Sequence, residues 1–129
     1  MIKVTCAIIV NPATGQVLVT QRSSSMKLPL KFEFPGGKVE QDETTSECLV
    51  REIQEELNLN IETLKQLPSN IHHYPDLSIE LIPFVCKIVS GDIILREHRC
   101  FLWLNPPELL DLDWAEADLP IVQNYLTSL

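Results

Sequence analysis

The stretch from Gly36 to Leu59, GGKVEQDETTSECLVREIQEELNL, constrains this chain more than any other. Leu49, Ile53 and Leu57 recur at helical spacing and, with Val50 on the adjoining arc, predict a core-facing stripe. Thr44, followed three residues later by Glu47, is a capping box and predicts a helix starting near Thr45. Asn58 follows the last periodic residue and tolerates the left-handed backbone that stops a helix. The same helix carries Glu52, Glu55 and Glu56 within roughly 100° of arc, bordering the apolar stripe. Like charges at these spacings each cost roughly 0.2–0.5 kcal/mol, and anions in a last turn face the negative end of the helix dipole. A turn that breaks two local rules is expected to answer to a function, and a divalent cation is the simplest group that converts this repulsion into attraction. Upstream, Pro35-Gly36-Gly37 predicts a turn whose backbone can approach a ligand closely.

The rest of the chain reads as strands with a second helix. Residues 2–10 predict a strand, 11–15 a turn and 16–21 the returning strand. A polar loop follows at 23–30, then a short extended piece at 31–34. Strands are expected at 60–67, at 77–89 with Pro83 confined to an edge or bulge, at 93–95 and at 98–104. Pro106 starts a helical turn, and 117–126 reads as a closing helix. There are no repeats or linkers, so residues 1–129 are expected to form a single domain, long enough for a real core. Strands with two main helices predict an α/β fold with a mixed sheet packed between helices.

A net charge of −8 argues against a sequence-independent grip on nucleic acid, which needs a basic face. The same charge repels a polyanionic nucleotide unless metal ions bridge carboxylates to phosphates. No apolar run reaches the ~18 residues of a membrane span, and no cleavable leader is visible, so a cytoplasmic protein without membrane contact is expected. Cys6, Cys48, Cys86 and Cys100 are scattered without a C-x-x-C pair and read as small buried hydrophobes in a reducing compartment. Cys48 alone shares an arc with the carboxylates and can line a site.

The Gly36–Leu59 stretch resembles the Nudix box, G-x5-E-x7-R-E-U-x-E-E-x-G-U with U aliphatic. Gly37, Glu43, Arg51, Glu52, Ile53, Glu55, Glu56 and Leu59 fill it in register, and Asn58 stands where the family has glycine. KFEFPGGKVE resembles the MutT-like branch, whose members hydrolyse nucleoside triphosphates, and a weaker likeness extends to Thr20–Arg22 and Trp114–Ile121. The resemblance implies an α/β/α sandwich with a mixed central β-sheet. It further implies a pyrophosphohydrolase dependent on Mg2+, with Mn2+ as substitute, that cleaves CTP, a modified dCTP or 8-oxo-dGTP to the monophosphate and pyrophosphate. A small-molecule nucleotide is then the partner of a monomer or weak homodimer. Two alternatives stay open: a non-catalytic nucleotide sensor on the same fold, and a hydrolase of dinucleotides or nucleotide sugars.

Phosphoanhydride hydrolysis needs a positioned water, a route for its proton, and neutralisation of charge on the phosphoryl oxygens. Magnesium takes one or two carboxylates plus waters and substrate phosphates. Glu52, Glu55 and Glu56 can supply such ligands, with a carbonyl of Gly36 or Gly37 as a further one. Glu43 lies about 180° from Glu52 on the helical projection and is read as a structural ion pair with Arg51. The resemblance adds Glu97 as metal ligand or general base, against the alternative of an ordinary surface glutamate. His98 is a rival base, unless it points outward from its strand. Lys38 can meet a phosphate as a point charge, and Arg22 does so by resemblance; exposed solvation is the alternative for both. Asp118 is expected either to bond the base edge, as the resemblance implies, or to cap the closing helix. Glu33 is a candidate sugar or base contact. Its neighbours Phe32 and Phe34 enter the core or stack on the base, and Tyr74 is a weaker stacking candidate. His72 and His73 face opposite ways in extended chain and cannot share a metal.

Overall fold

The computed structural model describes residues 1–129. In chain order the elements are β1 (Ile2–Ile9), β2 (Val17–Gln21), β3 (Phe32–Glu33), β4 (Gly36–Lys38), α1 (Thr45–Leu57), β5 (Asn60–Gln66), β6 (Asn70–His73), β7 (Ser78–Ser90), β8 (Cys100–Leu104) and α2 (Leu119–Thr127), with a 3₁₀ helix at Pro106–Asp111. β1 runs parallel to β7 and antiparallel to β4, while β7 takes β5 and β6 in succession along its other edge. This gives a mixed five-stranded sheet; β3, β2 and β8 form a second, antiparallel one.

Alternation along the strands explains the layers. Cys6 and Ile8 of β1 join Val17, Val19, Ile121 and Val122 in a core on the α2 side. Ala7 and Ile9 join Leu18, Leu49, Ile53 and Leu57 in a second core on the α1 side. A strand covered on both faces must be apolar throughout, and the last five residues of β1 are all buried. The architecture is the expected α/β/α sandwich with a mixed central sheet. No helix is long and apolar enough to cross a membrane.

α1 has the expected boundaries. Thr44 Oγ1 accepts from the Glu47 N–H while Glu47 Oε1 accepts from the Thr44 N–H, and Asn58 adopts φ 60°, ψ 30°. Its buried face is rotated from the expected stripe. Val50 is exposed, whereas Cys48 and Glu56 are buried. Taking Leu49 as the centre, Val50 lies about 100° to one side, while Glu56, Glu52 and Cys48 extend the face to the other. The acids flank the core on the side where the sheet covers them.

Other expectations need correction. Gly36-Gly37-Lys38 is a strand, not a turn, with Thr5 opposite Gly37 and Cys6 opposite Gly36. Pro83 is not at an edge; it sits in the central strand β7, opposite Cys6. It is tolerated because β5 ends opposite Phe84 and β6 begins opposite Leu81, so no partner asks for its missing N–H. Its carbonyl still accepts from the Leu67 N–H at 3.0 Å. β6, Asn-Ile-His-His, carries too little apolar alternation to be read as a strand beforehand. Residues 93–95 alternate inward and outward but form no strand: the Ile94 N–H donates to the Leu57 carbonyl at the end of α1. β8 begins at Cys100, two residues later than expected.

Candidate active site

A cavity of ≈ 510 Å³ opens between α1, β1, the β3–β4 segment and the residues before α2. Three groups of residues line it. Gly36, Gly37, Lys38, Glu52, Glu56 and Glu97 form a largely acidic wall. Val4, Cys6, Phe34, Ile79, Leu81 and Ala117 form an apolar wall that includes Asp118. Arg22 and Glu33 line it too, and Met26–Leu28 with Tyr74–Leu77 make the rim, where Lys27 Nζ meets Asp76 Oδ2 at 3.2 Å.

The acidic wall is built by close approach. A Cβ at Gly37 would overlap the Glu52 carboxyl, so only glycine lets this carboxylate lie against β4. Thr5, fully buried, donates from Oγ1 to the Gly37 carbonyl at 3.2 Å. Cys48 Sγ lies 3.3 Å from Thr5 Oγ1, so this thiol packs behind the wall and does not line the cavity.

Glu56 is the unusual group. It is only 6% exposed, and its Oε2 has no hydrogen-bond partner. Burial, reinforced by the charges of Glu33, Glu52 and Glu97, pushes its carboxyl up to about 9. Burial also raises Glu52, although Arg51 opposes the shift with a 2.9 Å contact from Nη1 to Glu52 Oε1. A buried oxygen without a donor, crowded by three further acids, calls for a proton or a cation. No three side chains of the His, Cys, Asp or Glu type converge as a ready-made cage. That donor set suits magnesium, which takes few carboxylates and completes its octahedron from water and phosphate.

Glu55 is not brought into this group. It is exposed, and both its oxygens face Arg51 Nη1, at 3.2 and 3.4 Å. Arg51 also holds Glu43 in a two-pronged pair, Nη2 to Oε1 at 2.7 Å and Nε to Oε2 at 3.1 Å. The guanidinium contact pulls the Glu43 carboxyl down to about 2. Glu43 Oε1 also accepts from the Glu40 N–H at 2.8 Å, which ties the loop before α1 to the helix.

Glu33 connects the acidic wall with the apolar one, raising both Glu56 and Asp118 by its charge. Arg22 Nη1 meets Glu33 Oε1 at 2.6 Å, and His98 Nε2 lies 2.8 Å from Glu33 Oε2. His98 therefore does not point outward: its imidazole is fully buried, with Nδ1 unpartnered. Arg22 also donates from Nε to the Lys27 carbonyl. Lys38 ends β4 exposed at the cavity wall. Asp118 is not a side-chain cap for α2; its Oδ2 accepts from the Phe34 N–H at 2.9 Å. Burial, then the Glu33 charge, holds its carboxyl well above the usual range. Phe34 is buried against Trp114, ring centroids 4.9 Å apart, while Phe32 is half-buried. Tyr74 accepts from the Ala117 N–H at 3.2 Å and packs edge-on to His72, whose Nε2 reaches Glu116.

Sequence reasoning missed the Arg22–Glu33–His98 chain and the contacts of Arg96 described below. REHR is a run of polar residues with no periodicity, so nothing in it marks which side chain turns inward.

The NUDIX domain family matches residues 1–125. The chain is 32% identical over 126 residues to the CTP pyrophosphohydrolase of Escherichia coli (strain K12), covering 98% of this chain and 92% of that protein. It is 27% identical over 114 residues to the 8-oxo-dGTP diphosphatase of the same organism, covering 88% of each. The solution structure of the MutT protein from methicillin-resistant Staphylococcus aureus 252 superposes with a TM-score of 0.78 at 38% identity, covering 98% of this chain and 96% of that one. Nudix hydrolases generally use divalent metals and act on small-molecule nucleotides, which suits an acid-walled cavity. The chain belongs to the Nudix family, in its MutT-like branch, and is a hydrolase of phosphoanhydride bonds.

Proposed function

We propose that residues 1–129 work as one catalytic unit, a Mg2+-dependent nucleoside triphosphate pyrophosphohydrolase releasing a nucleoside monophosphate and pyrophosphate. The observation that carries this reading is the buried Glu56 carboxyl, with an unpartnered oxygen and three acidic neighbours at the wall of the cavity. A bound divalent cation would set positive charge against these carboxylates and neutralise charge developing on the phosphoryl oxygens. Glu52 and Glu56 would hold it. The Gly37 carbonyl already faces Thr5 Oγ1 at 3.2 Å and Cys48 Sγ at 3.6 Å, so a further backbone ligand is expected from Gly36. Glu97, on its loop at the cavity, is placed to ligate or to take the proton of the attacking water. Glu55 joins only by leaving Arg51.

Lys38 and Arg22 supply positive charge toward the phosphates, and releasing Arg22 requires Glu33 to keep its bond to His98. The apolar wall receives the base. There Asp118, whose protonated form burial favours, offers in that form an O–H to a base acceptor while its other oxygen holds the Phe34 N–H. Glu33, still able to accept on free lone pairs, reads an adjacent donor of base or sugar. CTP and modified dCTP are favoured by the likeness to the CTP pyrophosphohydrolase along nearly the whole chain. 8-Oxo-dGTP comes next.

The test is pyrophosphate release from CTP, 5-methyl-dCTP, 8-oxo-dGTP and ADP-ribose with Mg2+, with Mn2+, and with EDTA. Turnover on a triphosphate with either metal, abolished by EDTA, is expected. Binding of these ligands without turnover points to a sensor, and preference for ADP-ribose points to a different leaving group on the same chemistry.

A further inference from the structure

Glu97 lies in a segment, Gly91 to Arg99, that belongs to no helix or strand. The segment is fastened to the end of α1. The Ile94 N–H donates to the Leu57 carbonyl at 3.0 Å, and the Arg96 N–H donates to the Glu56 carbonyl at 3.2 Å. The Arg96 guanidinium donates from Nη1 to the carbonyls of Gln54 and Glu55, at 3.0 and 3.1 Å. The last carbonyls of a helix have no partner within it, and here Glu55, Glu56 and Leu57 all find theirs in this segment. α1 ends with glutamates and no basic residue in its last turn. Arg96 thus places a cation at the negative end of the dipole from outside the helix.

Asn58 completes the attachment. It stands where the family pattern has glycine, and its left-handed backbone is one that glycine adopts freely. Glycine, however, lacks the side chain whose oxygen and nitrogen are both engaged here. Asn58 Oδ1 accepts from Arg96 Nη2 at 3.1 Å, and Nδ2 donates to the Asp92 carbonyl at 3.2 Å. The backbone closes in as well: Gly91 adopts φ +100°, and a Cβ there would press on the Asn58 carbonyl oxygen. One amide side chain therefore grips both ends of the five residues that lead to Glu97. On the far side of Glu97, the buried imidazole of His98 bonds Glu33.

We propose that Asn58 and Arg96 are positioning residues that set Glu97 against Glu52 and Glu56, so that the end of α1 and the Glu97 segment move as one body. This rests on the role given to Glu97 above. Asn58 then couples the segment to α1 in a way that the glycine of the family pattern cannot.

The experiment compares Asn58→Gly, Arg96→Ala, Glu97→Gln and the double variant Asn58→Gly/Glu97→Gln. Three readouts are taken: amide hydrogen exchange at Ile94 and Arg96, Mn2+ titration of the protein alone, and kcat with KM on the best nucleotide. Asn58→Gly restores the family residue and keeps the fold, so its effect is read without loss of structure. It is expected to speed exchange at both amides about tenfold, weaken Mn2+ binding about tenfold and lower kcat with little change in KM. Arg96→Ala is expected to act in the same direction and more strongly. If Asn58 acts through Glu97, adding Asn58→Gly to Glu97→Gln changes kcat no further. Additive losses, or a normal Asn58→Gly beside a defective Glu97→Gln, overturn this proposal alone. A Glu97→Gln variant with wild-type turnover and Mn2+ binding removes the role of Glu97, and this proposal with it.

Discussion

Two groups of carboxylates crowd the same helix, and their environments drive them in opposite directions. On one side Arg51 touches Glu43, Glu52 and Glu55, and Glu43 is held down to about 2. On the other, Glu56 has Glu33, Glu52 and Glu97 as charged neighbours and no cation, and it is pushed up to about 9. Crowding of acids is common to both, so crowding does not make a site. The difference is that one group is neutralised by a residue of the chain, whereas the other is left for something that binds. Glu52 stands between them, bonded to Arg51 by Oε1 yet raised by burial.

The largest expected effect follows from removing the uncompensated charge. Glu56→Gln is expected to lower kcat at least ~10-fold, while Glu55→Gln, already answered by Arg51, loses less than ~3-fold (about 0.6 kcal/mol). Stability should move the other way. The folded state raises Glu56 from 4.5 to about 9, so the stabilisation it gives is complete below 4.5 and is lost as pH rises through about 9. In EDTA the wild type therefore loses melting temperature across that window, and Glu56→Gln does not. By pH 9 the variant is expected to be the more stable of the two by about 1–3 kcal/mol, each kcal/mol being worth roughly 4 °C. Added Mg2+ should lift the wild type and leave the variant nearly unmoved. Parallel pH slopes in thermal unfolding would erase the distinction between the two groups.

The neutralised side makes the complementary prediction. Arg51→Ala removes the guanidinium that anchors Glu43 and frees Glu52 and Glu55 to repel one another. At pH 7 the melting temperature is expected to fall by roughly 5 °C. Because Glu43 is lowered from 4.5 to about 2, its contribution is present above 4.5 and disappears as pH falls through about 2. The deficit of the variant should therefore shrink on acidification. A deficit independent of pH between 5 and 2 would mean that Arg51 acts by packing and not by charge.

Which parts of this were legible in the sequence follows from how local each signal is. The capping box, Asn58 and the carboxylates of α1 are set by residues within a few positions, and the helix has the expected ends. Strand β1 announces itself by the apolar run from Cys6 to Val10. The turn expected at Gly36 and Gly37 became a strand because glycine signals either a positive φ or a close approach, and only the fold shows that it is the second. Val50 faced solvent because a helical wheel fixes relative angles but not where the sheet lies. Pro83 entered the central strand through a gap between β5 and β6 that no local pattern encodes. In the site, Glu55 and Glu56 are indistinguishable by type; 100° of helical rotation sends one to Arg51 and the other into the core. The pairing of Glu33 with His98 spans 65 residues, and that of Asp118 with Phe34 spans 84.

The smallest expected effect concerns Asp118, the other raised carboxyl near Glu33, and it separates protonation from shape. Burial, then the Glu33 charge, favours its protonated form, with Oδ2 accepting from the Phe34 N–H. In that form the carboxyl offers an acceptor and one O–H donor, and an asparagine amide keeps an acceptor and a donor in the same places while adding a second N–H. At pH 7, Asp118→Asn is expected to keep KM for the preferred nucleotide within ~3-fold, about 0.6 kcal/mol. As pH rises, the wild type ionises, loses its donor and places a second charge beside Glu33, so its KM should climb while that of the variant does not. Titration of the nucleotide and of the acidic wall is common to both proteins, so the ratio of the two kcat/KM profiles isolates this one group. A ratio flat from pH 6 to pH 10, with a reordered preference among bases, would show Asp118 already ionised in the folded protein. The apolar wall would then hold an anion, and its base would have to present a donor instead of an acceptor.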